Sequence, residues 1–142
     1  THDGVDVYLM SSAFSKPMFR QVIEVYFNKA ASKDESLTTL NTAFSKEGAY
    51  IYIPKNKMPK KPIQILHLAT GNEAALMLQP RNLIVAEDNA EVQIIERHQS
   101  LTENEVFTNS VTEIFAGKDA IVDYYKVQND APTASLVDNT YI

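Results

Sequence analysis

A short phrase recurs along the chain: a polar turn, an alanine, then β-branched, leucine or aromatic residues at every second position. It stands at Gly48-Ala49-Tyr50-Ile51-Tyr52-Ile53 and again at Glu73-Ala74-Ala75-Leu76-Met77-Leu78. It returns at Asn89-Ala90-Glu91-Val92-Gln93-Ile94 and at Asp119-Ala120-Ile121-Val122-Asp123-Tyr124. The alanines fall at 49, 74, 90 and 120, so the unit recurs while the interval does not. A strand unit repeated without intervening helices points to coils stacked on one another. A helix-and-sheet core would place helical crossovers between such strands, and none is read after about Phe44.

Before Gly48 the periodicity is helical. Val5, Val7 and Leu9 alternate and suggest at most a short strand in a loose lead-in. Pro17 suits a helix first turn behind Ser15, and Phe19, Val22, Ile23, Tyr26, Phe27 and Ala30 then form one apolar stripe. Ser32-Lys33-Asp34-Glu35 fits a capping box for a second helix with Leu37, Leu40 and Phe44 on one face. Gly48 is expected to stop it by taking the left-handed conformation.

From Gly48 onward the period is two. Strands are expected at 50–53, 63–68, 76–78, 82–86, 91–96, 106–115, 121–127 and 135–142. Pro54, Pro59, Pro62, Gly71-Asn72, Pro80, Asp88-Asn89, Asn104, Gly117 and the 130–132 stretch punctuate them. The chain therefore divides into a lead-in and helical segment (1–47) and a β core (48–142). The fold class is mainly β with N-terminal helices. Strand lengths alone fit a sandwich as well as a solenoid, and the recurring phrase favours the first coils of a solenoid.

Composition excludes several classes. The chain has 142 residues, the size of one domain or a piece of a larger one. A formal charge of −5 argues against nucleic acid, which rewards basic surfaces. With no cysteine, disulfides, thiolate metal ligands and thiol nucleophiles are excluded. Runs such as Leu83-Ile84-Val85-Ala86 are far short of a membrane span, and 5–10 is too brief for a signal peptide. A cytoplasmic protein is expected.

Taken in order, the strands resemble the SufB/SufD family. The segment Leu40-Asn41-Thr42-Ala43-Phe44, then Gly48 and Ile51-Tyr52-Ile53-Pro54, is similar to the approach to that family's core. Pro62-Ile63-Gln64-Ile65-Leu66-His67-Leu68 resembles its next strand, and the run from Arg81 to Glu96 the one after. Phe107-Thr108-Asn109-Ser110-Val111 through Ala120 and Tyr125 continues the match, so that about 15–142 is covered. The missing cysteines and the short approach look more like SufD than SufB. The resemblance implies a right-handed parallel β-helix and a non-catalytic scaffold for iron–sulfur cluster assembly, acting with SufB and the ATPase SufC. Its later coils, C-terminal helices and cluster-linked cysteine and histidine positions have no counterpart in these residues. The cluster is thus expected at the level of the whole complex, with no cofactor in this segment.

Side chains capable of chemistry are few. His67, inside an apolar strand, is the single metal candidate, although a structural histidine bonded to backbone is the plainer reading. His98 is read as solvated, His2 as lying in an unstructured terminus, and the three histidines lack HxH or HExxH spacing. Glu87, Asp88, Glu91 and Glu96 are read as turn residues and a solvent-facing row rather than an acid–base pair. Lys55, Lys57, Lys60 and Lys61 form a basic patch best read as a solvated loop that blunts strand edges. Tyr50, Tyr52, Phe115, Tyr124 and Tyr125 are read as sheet packing. No phosphate loop or nucleophile elbow is present, and nothing signals flavin or iron. No catalytic residue is assigned. A carbohydrate-active or other β-helix enzyme and an unrelated solenoid binding module are the alternatives, the first wanting clustered carboxylates on one face. An unpaired stack edge also predicts self-association.

Overall fold

A computed structural model describes residues 3–71 and 75–142. His2, Asn72 of the Gly71-Asn72 break, and Glu73 and Ala74 of the second turn-alanine phrase lie outside the described residues. A short strand, β1 (Asp6–Leu9), leads into helices α1 (Met10–Phe14), α2 (Pro17–Tyr26) and α3 (Ser36–Phe44). Eight strands follow: β2 (Ala49–Ile53), β3 (Ile63–Ala69), β4 (Ala75–Leu78), β5 (Arg81–Ala86), β6 (Glu91–Ser100), β7 (Glu105–Ala116), β8 (Ile121–Asn129) and β9 (Ala134–Tyr141). The fold is mainly β, and every strand expected from the period of two is present.

These strands form two sheets. In the first, β1 runs antiparallel to β2, and β2 runs parallel to β5. β4 and β5 lie end to end along one side of β7, and β9 pairs in parallel along its other side. The second sheet is β3-β6-β8, all parallel. Successive strands thus alternate between the sheets: β2 in the first, β3 in the second, β4–β5 in the first, and so on to β9. The registers repeat at thirty positions where Leu83 faces Glu113 and Ile94 faces Tyr124.

Turns joining the sheets stack on one another. Asn56, Asn89 and Asp119 each take positive φ (60°, 56° and 55°), a conformation that short polar side chains tolerate best. The Asn89 amide donates to the Lys118 carbonyl at 2.9 Å, and the Lys118 amide to Asp88 Oδ1 at 3.0 Å. Ala90 and Ala120 follow equivalent turns and open β6 and β8. Ala49 opens a strand of the other sheet, its amide donating to Asn82 Oδ1 at 2.9 Å. The recurring phrase therefore marks two different corners, which is why its intervals are uneven.

Two apolar clusters hold the layers together. Ile51, Ile53, Ile65, Ile84, Ala86, Val92, Ile94 and Ile114 fill one half of the space between the sheets. Phe19 and Ile23 of α2, with Met10 and Ala13 of α1, pack on Tyr50, Leu83 and Val85 on the opposite face of the first sheet. β5 is consequently buried along its whole length, as expected of a parallel strand covered on both sides.

The helical layer is also fixed by buried polar contacts. Arg81 donates to Glu113 Oε2 at 2.7 Å, and Glu113 accepts the amides of Asn28, Ala30 and Ala31 at 2.8, 2.9 and 3.0 Å. Asn41 Nδ2 donates to the carbonyls of Pro80 and Asn109, at the junction of β4 and β5. This corrects the expected face of α3: Thr38 and Asn41 are buried, whereas Phe44 is 62% exposed. Its cap is corrected too. Glu35, not Ser32, is the N-cap, accepting the Leu37 and Thr38 amides. α1 was not legible as a separate helix. Gly48 is not left-handed either; a Cβ there would sit 1.7 Å from the Arg81 carbonyl oxygen, so close approach is what requires glycine.

Candidate functional site

The other half of the space between the sheets is polar. On β3 the interior alternation runs Ile63, Ile65, His67, Ala69, and on β6 it runs Val92, Ile94, Glu96, His98. The parallel register places His67 beside His98 and Ile65 beside Glu96. The imidazole rings stack with centroids 4.6 Å apart and planes 20° from parallel. Below them Glu96 is fully buried, and His98 is only 4% exposed.

Glu96 gathers donors from three strands besides its own. Its Oε1 accepts from His67 Nε2 and from Asn82 Nδ2, each at 2.8 Å. An ionised carboxylate only accepts, so His67 carries its proton on Nε2 in this arrangement. His98 Nε2 lies 3.4 Å from the same oxygen without forming a hydrogen bond. Tyr124 donates to Oε2, and Lys126 Nζ stands 3.7 Å from it. Asn82 also donates to Thr112 Oγ1 at 3.1 Å, while Lys126 pairs with Asp138 and reaches Thr140 Oγ1 at 2.7 Å.

Electrostatics follow from these contacts. Burial, the largest influence on Glu96, would raise its pKa, but the approach of His67, His98 and Tyr124 outweighs it and holds the carboxyl well below its usual range. Burial first, then the Glu96 charge, pushes the Tyr124 phenol well above its ordinary value. The site is therefore an anionic carboxylate among neutral and cationic donors. A cavity of about 780 Å³ opens onto it, with Leu9, Phe44, His67, Leu78, His98 and Thr108 among its lining residues. His67, Glu96 and His98 offer ligand atoms that all lie within 4.8 Å of one another.

Five of the residues singled out from sequence are placed differently from that expectation. His67 bonds a carboxylate rather than backbone. His98, expected in solvent, is buried because β6 runs on to Ser100. Glu96, expected on the solvent row, points inward; Glu91 and Gln93 do face solvent. Tyr124 belongs to the polar cluster, and Tyr125 is exposed rather than packed. Glu87 and Asp88 stay at the turn, where Asp88 meets Lys55 Nζ at 3.3 Å, and the lysine patch lies on the exposed β2–β3 loop. Asn82, Thr112 and Lys126 were missed. One signal was available for Glu96 and His98: they share the parity of Val92 and Ile94.

Two family models match. The SUF system FeS cluster assembly SufBD core domain covers residues 67–142, and the SufBD protein N-terminal region covers 2–65. The chain belongs to the SufBD family. Among SufBD relatives, it is 31% identical over 131 residues to an iron–sulfur cluster assembly SufBD family protein of Synechocystis, covering 87% of this chain and 29% of that one. It is 33% identical over 111 residues to the iron–sulfur cluster assembly protein SufD of Bacillus subtilis, covering 76% and 25%. A chloroplastic SufBD family protein of Arabidopsis thaliana is 30% identical over 114 residues, covering 78% and 20%. This SufBD chain thus spans between a fifth and three tenths of the length of these relatives. Among the described residues no helix is long and apolar enough to cross a membrane.

Proposed function

We propose that the chain is part of a cytoplasmic, SufD-like scaffold subunit for iron–sulfur cluster assembly, working with SufB-like and SufC-like proteins and catalysing no turnover itself. The cluster is the cargo of the whole complex. The observation that carries this reading is the core-domain match over 67–142, together with relatives whose names state iron–sulfur cluster assembly. On the same reading, the two sheets are the first coils of a right-handed parallel β-helix. Strand alternation between the sheets and the thirty-residue register support that geometry.

The test is affinity purification of the tagged full-length protein, co-expressed with the SufB-like and SufC-like proteins of its own organism. A complex of fixed stoichiometry is expected. Failure of either partner to co-purify or co-elute on size exclusion would overturn the assignment.

A further inference from the structure

We propose that His67, Glu96 and His98 form a binding site for one divalent first-row transition-metal ion such as ferrous iron or zinc. Two imidazoles and one carboxylate are the ligand types such ions take, and this set leaves coordination positions open. The proposal stands on the geometry and holds whether or not the chain works with SufB-like partners.

Distances come first. Metal–nitrogen and metal–oxygen bonds of about 2.1 Å put neighbouring ligand atoms about 3.4 Å apart in a tetrahedron and about 3.0 Å in an octahedron. Glu96 Oε1 lies 2.8 Å from His67 Nε2 and 3.4 Å from His98 Nε2. All three ligand atoms lie within 4.8 Å of one another, and because the rings are stacked an ion entering between them requires both imidazoles to turn so that their Nε2 lone pairs converge on it.

The second observation is the unsatisfied nitrogen. His98 is 4% exposed, and its Nε2 has no hydrogen-bond partner among the described residues although it lies 3.4 Å from Glu96 Oε1. A buried polar atom left unpaired costs free energy; a metal ion at this point removes that cost. The ion also takes the place of the proton that His67 Nε2 now shares with Glu96. For His67 Nε2 to bind the ion, that proton moves to Nδ1 in the other neutral tautomer, and the carboxylate exchanges a hydrogen bond for a metal bond.

Support and access complete the site. The ligands stand on adjacent paired strands, which fixes them more firmly than loops would. Asn82 orients the ligating oxygen, while Tyr124 and Lys126 hold Oε2 away from it; such outer contacts commonly tune a metal site. The 780 Å³ cavity touches both histidines, giving the ion a path and leaving room for water or a further ligand.

The experiment is anaerobic titration of the full chain with Co(II), Zn(II) and Fe(II), read by calorimetry and by the Co(II) visible spectrum. One ion per chain is expected. His67→Gln and His98→Gln should each weaken binding by about 100-fold or more, judged against the 10–100-fold effects typical of outer contacts. His2→Gln, which removes the remaining histidine, should bind like wild type. Circular dichroism checks that each variant is folded. Should the substitutions unfold the chain, imidazole NMR signals of the wild type decide: Zn(II) must shift those of His67 and His98. Absence of saturable binding, binding retained in the folded variants, or signal changes confined to His2 would overturn the proposal.

Discussion

Glu113 and Glu96 are both fully buried on parallel strands, yet their surroundings differ in kind. Glu113 faces the helical layer, where one guanidinium and three backbone amides meet it. Those partners tie the 28–31 segment to β7. Glu96 faces the space between the sheets, among two imidazoles, a phenol and an ammonium. One imidazole nitrogen there has no hydrogen-bond partner among the described residues, and a cavity reaches both rings. Burial alone does not separate a structural carboxylate from a reactive one. The chemistry of the partners does.

The most severe way to break this contrast is Arg81→Met. It leaves the Glu113 charge buried without its counter-ion, a situation that costs about 3–5 kcal/mol. Denaturant unfolding should show a loss of that size with little effect on metal binding. Next is Ile94→Ala, two residues before Glu96 on the apolar half of β6. Truncating a fully buried isoleucine costs about 2–5 kcal/mol through lost burial and the cavity left behind. Glu96→Gln comes third, at about 1–3 kcal/mol, since the amide keeps the shape but cannot accept all of its donors. A loss from Glu96→Gln exceeding that from Arg81→Met would reverse the comparison and make Glu96 the structural residue.

Legibility in the sequence follows the range of each interaction. Strand period, breaker residues and the α2 stripe as far as Tyr26 are local and were readable, whereas Phe27 and Ala30 of the expected stripe lie beyond the end of the helix. The recurring phrase was visible, but its assignment to two corners depends on which sheet each strand joins. Gly48 was noticed for the wrong physical reason, because its constraint comes from Arg81, a strand away. In the site, parity already placed Glu96 and His98 with Val92 and Ile94. Reading β6 as ended at Glu96 hid that signal for His98. The contributions of Asn82, Thr112, Tyr124 and Lys126 were not readable, since they depend on registers set by pairing about thirty positions along the chain.

Glu35 provides the smallest test, because it is a carboxylate whose partners resemble those of Glu113 but which sits at the surface. The Thr38 side chain and amide, helped by the Leu37 amide, hold its pKa below the ordinary 4.5 against the opposing effect of burial. A carboxyl with a lowered native pKa stabilises the fold above its unfolded value, and that contribution disappears as pH falls through the native value. Thermal stability measured from pH 7 to pH 3 should therefore begin to lose this contribution below about pH 4.5. Glu35→Gln should already lack it at neutral pH and show a flatter acid limb. Asn139 Nδ2 lies 3.5 Å from Glu35, and Tyr141 contacts Thr38 at 2.8 Å, so the loss should loosen α3 from β9 specifically. Hydrogen exchange that rises in α3 and β9 but stays unchanged in β6 would set this half-buried cap apart from the interior carboxylate. Equal acceleration in β6 would mean that the two halves of the molecule do not respond separately.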